Sequence, residues 1–305
     1  MYNVLSQRRE TQCDRAHRPA FTLVEILVVF TILGIVGVML VRILLTQSRF
    51  TDQQNALSGA RRVSRQAMNV LESELRMVQD SGGIDSASTD GKTIRVLVPY
   101  RFGINCGVSL VSLTNVVSML PVDSVTLAQA RYAGYGWRSH SGVYTTVPVG
   151  TNPQPTLSAD PAQCTGVLPL QANIRTLTIN GRAGQVYDVK PVQPLAPKGQ
   201  AVFFYQRITY SFKASIAFPG QYGLFRGVQM PLGSTNEELM APFDSTARFK
   251  YWTRSATASV SAPPALPLIR GIDVVFAARS SYAPIGKTTP SKSTVVASIF
   301  FKNVR

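Results

Sequence analysis

Side chains able to do chemistry are few in this sequence, and their spacing limits them further. The 305-residue chain has two histidines, His17 and His140, and three cysteines, Cys13, Cys106 and Cys164. So few imidazoles and thiols leave little room for a zinc site or an iron–sulfur centre. Beyond residue 20, any Ser-His-Asp or Cys-His arrangement would depend on His140 alone. That residue sits in the polar stretch Trp137-Arg138-Ser139-His140-Ser141 and reads as a solvated loop residue. Gly-Lys-Thr occurs at 91–93 and 286–288, but a phosphate loop also needs a glycine five residues before the second glycine. Ser86 and Ser281 hold those positions, and Pro290 would obstruct a helix after the second copy, so both read as turns. No acidic cluster has the spacing of a calcium loop. The expectation is no catalytic residue, no metal and no cofactor.

One titratable residue does stand in an unusual setting. From Phe21 to Val41 the chain reads FTLVEILVVFTILGIVGVMLV, with Glu25 its only ionisable side chain. As a helix this run is ~31 Å long, enough to cross a bilayer core. Soluble core helices seldom stay apolar on every face for so many turns. Before it, residues 1–20 carry Arg8, Arg9, Arg15 and Arg18 against Glu10 and Asp14, a balance of +2. Basic residues flanking a span stay in the cytoplasm, so the remainder is expected to be exported. A secretory signal would end in a small-x-small cleavage site, and none follows Val41. The small residue that could mark a cut is Ala20, before the apolar run.

The string Arg18-Pro19-Ala20-Phe21-Thr22-Leu23-Val24-Glu25, followed by an apolar helix, resembles the N-terminus of type IV pilin precursors and type II secretion pseudopilins. The resemblance implies cleavage by prepilin peptidase between Ala20 and Phe21 and methylation of Phe21, with Thr22, Leu23 and Val24 in the recognised segment. The family usually has Gly before the cut, where this chain has Ala20. The resemblance also gives Glu25 a role, pairing with the N-terminal amine of a neighbouring subunit. A carboxylate in a membrane helix costs roughly 2.5–3.5 kcal/mol and usually marks function; snorkelling to the interface is the alternative.

Past the span, residues 43–78 hold no proline and one glycine, Gly59. Apolar residues recur at Phe50, Leu57, Ala60, Val63, Ala67, Val70, Leu71, Leu75 and Val78, which predicts a continued helix with one stripe to be covered. Arg61, Arg62, Arg65, Glu72, Glu74 and Arg76 fall on its other faces, and Asp80-Ser81-Gly82-Gly83 ends it. A single helix over 21–78 would be about 87 Å long. Strands are expected at Thr93–Tyr100, Val125–Leu127, Asn173–Ile179, Ala201–Phe212, Ala247–Trp252, Ile272–Ala277 and Thr294–Phe301, with loops at Ser141–Pro169 and Val189–Gln200. One long helix before many strands argues an α+β fold with an antiparallel sheet, and the resemblance makes it pilin-like. The expected division is a leader over 1–20, a transmembrane or filament-core helix over 21–41, its amphipathic continuation over 42–80, and a β-rich periplasmic head over 81–305. Length and the C-terminal pattern, from Arg207-Ile208-Thr209-Tyr210-Ser211 to the closing Lys302-Asn303-Val304-Arg305, are most similar to minor pilins of the PilW type or the larger J-type pseudopilins.

Removal of the leader would take Cys13 with it and leave Cys106 and Cys164 in an oxidising periplasm. They are expected to form a disulfide there, the alternative being two separate buried thiols. The chain is also basic, with 31 Lys and Arg against 16 Asp and Glu. Such a balance favours phosphate backbones, yet no run of five basic residues occurs, so the charge reads as a solvated surface. The expected partners are prepilin peptidase, other pilin or pseudopilin subunits, an inner-membrane assembly platform and membrane lipid before assembly. A DNA- or surface-binding subunit, with nucleic acid as a weaker partner, and a membrane-anchored enzyme are the competing readings.

Overall fold

The apolar run and the patterned segment after it form one element, α1 (Leu23–Leu75). It opens a computed structural model that describes residues 22–79, 82–109, 111–127, 130–148, 154–159, 161–164, 178–179, 182–190, 196–230 and 232–301. Two compact units divide between Thr51 and Asp52. In the first, every large apolar side chain of α1 is between 47% and 78% exposed. An 18-residue window there has a mean hydropathy of 2.8, so this is a helix long and apolar enough to cross a membrane.

The second unit begins with the rest of α1, whose buried residues are Ala56, Ala60, Ser64, Ala67, Leu71 and Leu75. Steps of three and four keep these on one face. Four of the six are small, which lets the helix backbone approach its cover closely. The helix stops at Leu75, where the amides of Met77 and Val78 turn back to the carbonyls of Glu74 and Leu75 (both 3.1 Å). Gly83 then packs on that turn: a Cβ there would meet the Gln79 carbonyl oxygen at 2.3 Å. Glycine alone fits.

After the helix come β1 (Ile84–Ala87), β2 (Thr93–Ser109), β3 (Thr114–Met119), α2 (Pro121–Leu127), β4 (Tyr132–Arg138), β5 (Tyr144–Pro148), β6 (Thr156–Leu157), β7 (Thr178–Ile179) and β8 (Arg182–Ala183). Then follow β9 (Gln185–Val189), β10 (Ala201–Ala214), β11 (Tyr222–Met230), β12 (Gly233–Ser234), β13 (Glu237–Phe243), β14 (Arg248–Thr253), β15 (Ile269–Arg279) and β16 (Lys292–Phe300). Among the described residues, fourteen strands make one sheet, and β7 pairs with β8 apart from it. The fold is α+β with an antiparallel sheet, in a pilin-like layout.

Strand β10 organises that sheet. Along one edge it pairs with β2 from Ala201 to Ser211. Its other edge is shared, by β4 from Val202 to Gln206 and by β11 from Ile208 to Ala214. The sheet therefore forks at Arg207. Beyond the fork, Ile208, Tyr210 and Phe212 join Ile94, Val96, Leu224, Phe243, Phe249, Phe276 and the helix residues Ala60, Ala67, Leu71 and Leu75 in one core. Burial of each leucine there is worth about 1.5–3 kcal/mol. A second core gathers Val117, Met119, Tyr132, Tyr135, Trp137, Val202 and Phe204.

Three expectations need correction. Val125–Leu127 is the end of α2, not a strand: Pro121 has its φ set for a first helical turn, and the Ser124 hydroxyl donates to its carbonyl (2.9 Å). Phe50 and Val70 lie outside the buried stripe, 62% and 37% exposed, while Ala56 and Ser64 take the covered positions. Ser141–Pro169 is not all loop, since it holds β5, β6 and a 3-10 turn at Pro161–Cys164. Of Asn173–Ile179, only Thr178–Ile179 lies within the described residues, and it is a strand.

Candidate functional site

Two places bear on function: the start of α1 and the sheet that covers its later turns. Ala20 and Phe21, the expected cut, lie outside the described residues. Thr22 caps the helix, its hydroxyl oxygen accepting the Glu25 amide at 3.3 Å and its carbonyl accepting the same amide at 3.1 Å. Thr22-Leu23-Val24-Glu25 is thus a capping sequence, with an acidic residue at its fourth position and near the positive end of the helix dipole. Leu23 and Val24 are fully presented, 78% and 69% exposed. Beside them Leu23, Ile26, Leu27, Phe30 and Thr31 line a shallow apolar recess of about 400 Å³. Gly34 and Gly37 have open space where a Cβ would stand. A helix presenting such a surface needs lipid or other apolar helices around it.

In the head, charged residues tie the later turns of α1 to the sheet. Arg226 on β11 grips Glu74 with two N–H groups, Nε to Oε2 at 3.1 Å and Nη2 to Oε1 at 2.7 Å, and the Tyr210 hydroxyl donates to the same carboxylate. Glu74 thus turns toward the sheet. Both partners are about a fifth exposed, so the pair is neither a loose surface contact nor a dry one. Removing one member leaves the other uncompensated. Glu74→Ala is expected to lower head stability by about 2–3 kcal/mol, read by denaturant unfolding of the full chain in detergent, and Glu74→Leu with Arg226→Leu should recover much of the loss. Asp52 makes a second tie, accepting the Tyr282 hydroxyl at 3.0 Å and the Ile285 amide at 2.7 Å.

Both Gly-Lys-Thr segments are turns. Gly91 has φ +67°, and a Cβ there would stand 2.6 Å from the Phe249 carbonyl oxygen. Lys92 donates to the carbonyls of Ser245 and Ala247, and burial pulls its ammonium below the usual lysine range. It is a strut between two loops. Gly286 has φ +83°, and the Lys287 amide closes its turn onto Pro284. His140 is exposed in a turn between Ser139 and Ser141. Among the described residues, no three His, Cys, Asp or Glu side chains could hold a metal ion together. Cys106 and Cys164 are joined in a disulfide, with Cα atoms 4.8 Å apart and a sequence separation of 58.

Among the described carboxylates of the head, Asp244 is the most strongly shifted. Burial pushes its carboxyl up, but the Thr246 amide and hydroxyl, Arg279 and Lys292 all hydrogen-bond the charged form and hold it well below its ordinary value of 3.8. A depressed acid stabilises the fold above its unfolded pKa, and the contribution is lost as pH falls toward the folded one. Head stability is therefore expected to decline below about pH 4, with a shallower decline in Asp244→Asn, as measured by thermal unfolding across pH. Asp273, bonded by Trp252, is shifted in the same direction.

The sequence reading missed Asp52, the Glu74–Arg226–Tyr210 group and the cap at Thr22. Only the last had a local signal, the Thr-x-x-Glu spacing. Compared with known families, residues 15–41 match the prokaryotic N-terminal methylation motif. This is the signal of type IV pilin and pseudopilin precursors. No curated protein and no solved structure matches the chain.

Proposed function

We propose that this chain is the precursor of a minor subunit of a type IV pilus or a type II secretion pseudopilus. Its apolar helix holds it in the inner membrane, N-terminus in the cytoplasm and head in the periplasm. Prepilin peptidase, recognising Thr22, Leu23, Val24 and Glu25, cuts between Ala20 and Phe21 and methylates Phe21. The helix then passes from lipid, through an inner-membrane assembly platform, to a filament core of similar helices, where Glu25 pairs with a neighbour's terminal amine. The head over 81–305 faces outward, its Cys106–Cys164 disulfide suited to that compartment.

The supporting observation is a coincidence in one segment. The methylation motif covers the apolar run whose side chains are wholly uncovered. An apolar surface of that extent is not stable in water and must be covered by lipid or protein. Membrane helices have no hydrophobic drive toward one another, so a buried ion pair is a means of setting register. Shearing of filaments from cells making the chain with its own assembly machinery tests the reading. The chain should co-sediment in shortened form; a full-length chain that stays wholly in the membrane fraction overturns it.

A binding role on the same scaffold is favoured by one observation, the gathering of cations at the fork of the sheet.

A further inference from the structure

We propose that the fork in the head's sheet is a binding site for an acidic glycan, a short run of sugars bearing carboxylates. The placement follows from strand alternation. On β10, Ile208, Tyr210 and Phe212 enter the core, which turns Arg207, Thr209, Ser211 and Lys213 to the opposite face. On β2, Ile94 and Val96 enter the same core, which turns Thr93 and Arg95 outward beside Ser211 and Thr209. Arg131 enters from the start of β4, its amide bonded to the Gln229 carbonyl of β11 at 2.9 Å, across the fork. Four cations from three separate parts of the sequence, two of them on β10, thereby line one cleft of about 590 Å³.

The lining of that cleft is one-signed. Among the described residues, no Asp or Glu lines it. Asp85 pairs with both Arg95 and Arg207, the latter at 3.2 Å. Neither Arg131 nor Lys213 has a carboxylate partner among the described residues. Like charges on one sheet face repel, and cations held in a concavity focus a field that attracts anions.

The rest of the lining selects the class of anion. Hydroxyls of Thr93, Thr209, Ser211 and Thr235 and the Asn236 amide supply neutral donors and acceptors matching sugar hydroxyls. Guanidiniums bind carboxylates through paired N–H groups. Among the described residues no aromatic ring is open to the cleft, since Phe225, under the Lys213 ammonium at 4.2 Å, is buried, which removes the stacking platform that single-stranded nucleic acid uses. Duplex DNA is read by an element that projects into a groove, whereas this surface recedes.

The test uses the full-length chain in neutral detergent, titrated at low salt with oligogalacturonate, its methyl-esterified form, and single-stranded and duplex DNA. Oligogalacturonate should bind, and the uncharged ester should bind at least about tenfold more weakly. Arg131→Gln with Lys213→Gln should weaken binding about tenfold, while Lys198→Gln with Lys287→Gln, which removes the same charge elsewhere, should leave it unchanged. Absence of binding, equal losses in both double variants, or tighter binding of either DNA through Arg131 and Lys213 would overturn the assignment. The inference rests on the head alone, so a chain that never enters filaments leaves it standing, and failure here leaves the filament reading intact.

Discussion

Replacing Glu25 by alanine is expected to reduce incorporation into filaments by about tenfold or more, with membrane insertion unimpaired. Insertion should in fact ease, because the carboxylate costs roughly 2.5–3.5 kcal/mol in a membrane helix. Under the proposed pairing, what is lost is the partner of a neighbour's terminal amine, and an unpaired buried charge disfavours docking. The cap at Thr22 offers Glu25 a different role, as the acidic member of a capping sequence. Glu25→Gln separates the two, since glutamine serves in a capping box but carries no charge. Quantifying sheared filaments should show the glutamine variant failing like the alanine one. A glutamine variant that assembles normally would assign Glu25 to capping instead.

Loss of the Cys106–Cys164 bridge should be the largest single change in head stability. The bridge closes a loop of 58 residue steps, and in the chain-entropy model such a loop contributes roughly 3–4.5 kcal/mol. Its position adds to this. Cys106 and Cys164 form a small core with Val116 and Val186, pinning the turn at Pro161–Cys164 against β2, β3 and β9. Cys106→Ser with Cys164→Ser should therefore lower the midpoint of thermal unfolding of the full chain in detergent by well over the change in Asp244→Asn at neutral pH. Reductant should lower the unmutated chain equally and leave the double variant unaffected.

The parts of this fold that were legible are those whose signal is local. A 21-residue run that is apolar but for Thr22, Glu25 and Thr31 reads as a membrane-crossing helix, and β10, β15 and β16 show the alternation or β-branched richness expected of strands. Strand β3 is buried on every residue and so shows no alternation, while β4 carries two glycines, and both were passed over. In α1 the apolar pattern named Ala60, Ala67, Leu71 and Leu75, which are covered, but also Phe50 and Val70, which are not, and it passed over Ala56 and Ser64 on the covered face. Close backbone approach selects for small side chains there, which hydropathy does not register. Long-range partners were beyond reach altogether. Glu74 meets Arg226 across 152 residues, and the cations at 95, 131, 207 and 213 look scattered until β10 draws them to one cleft.

The most direct measurement is the intact mass of the protein after co-expression with a prepilin peptidase. The expected mass is that of residues 21–305 plus one methyl group, with Phe21 as the blocked first residue. A product still carrying residues 1–20, or one cut at any other bond, would contradict the assembly role proposed for this chain.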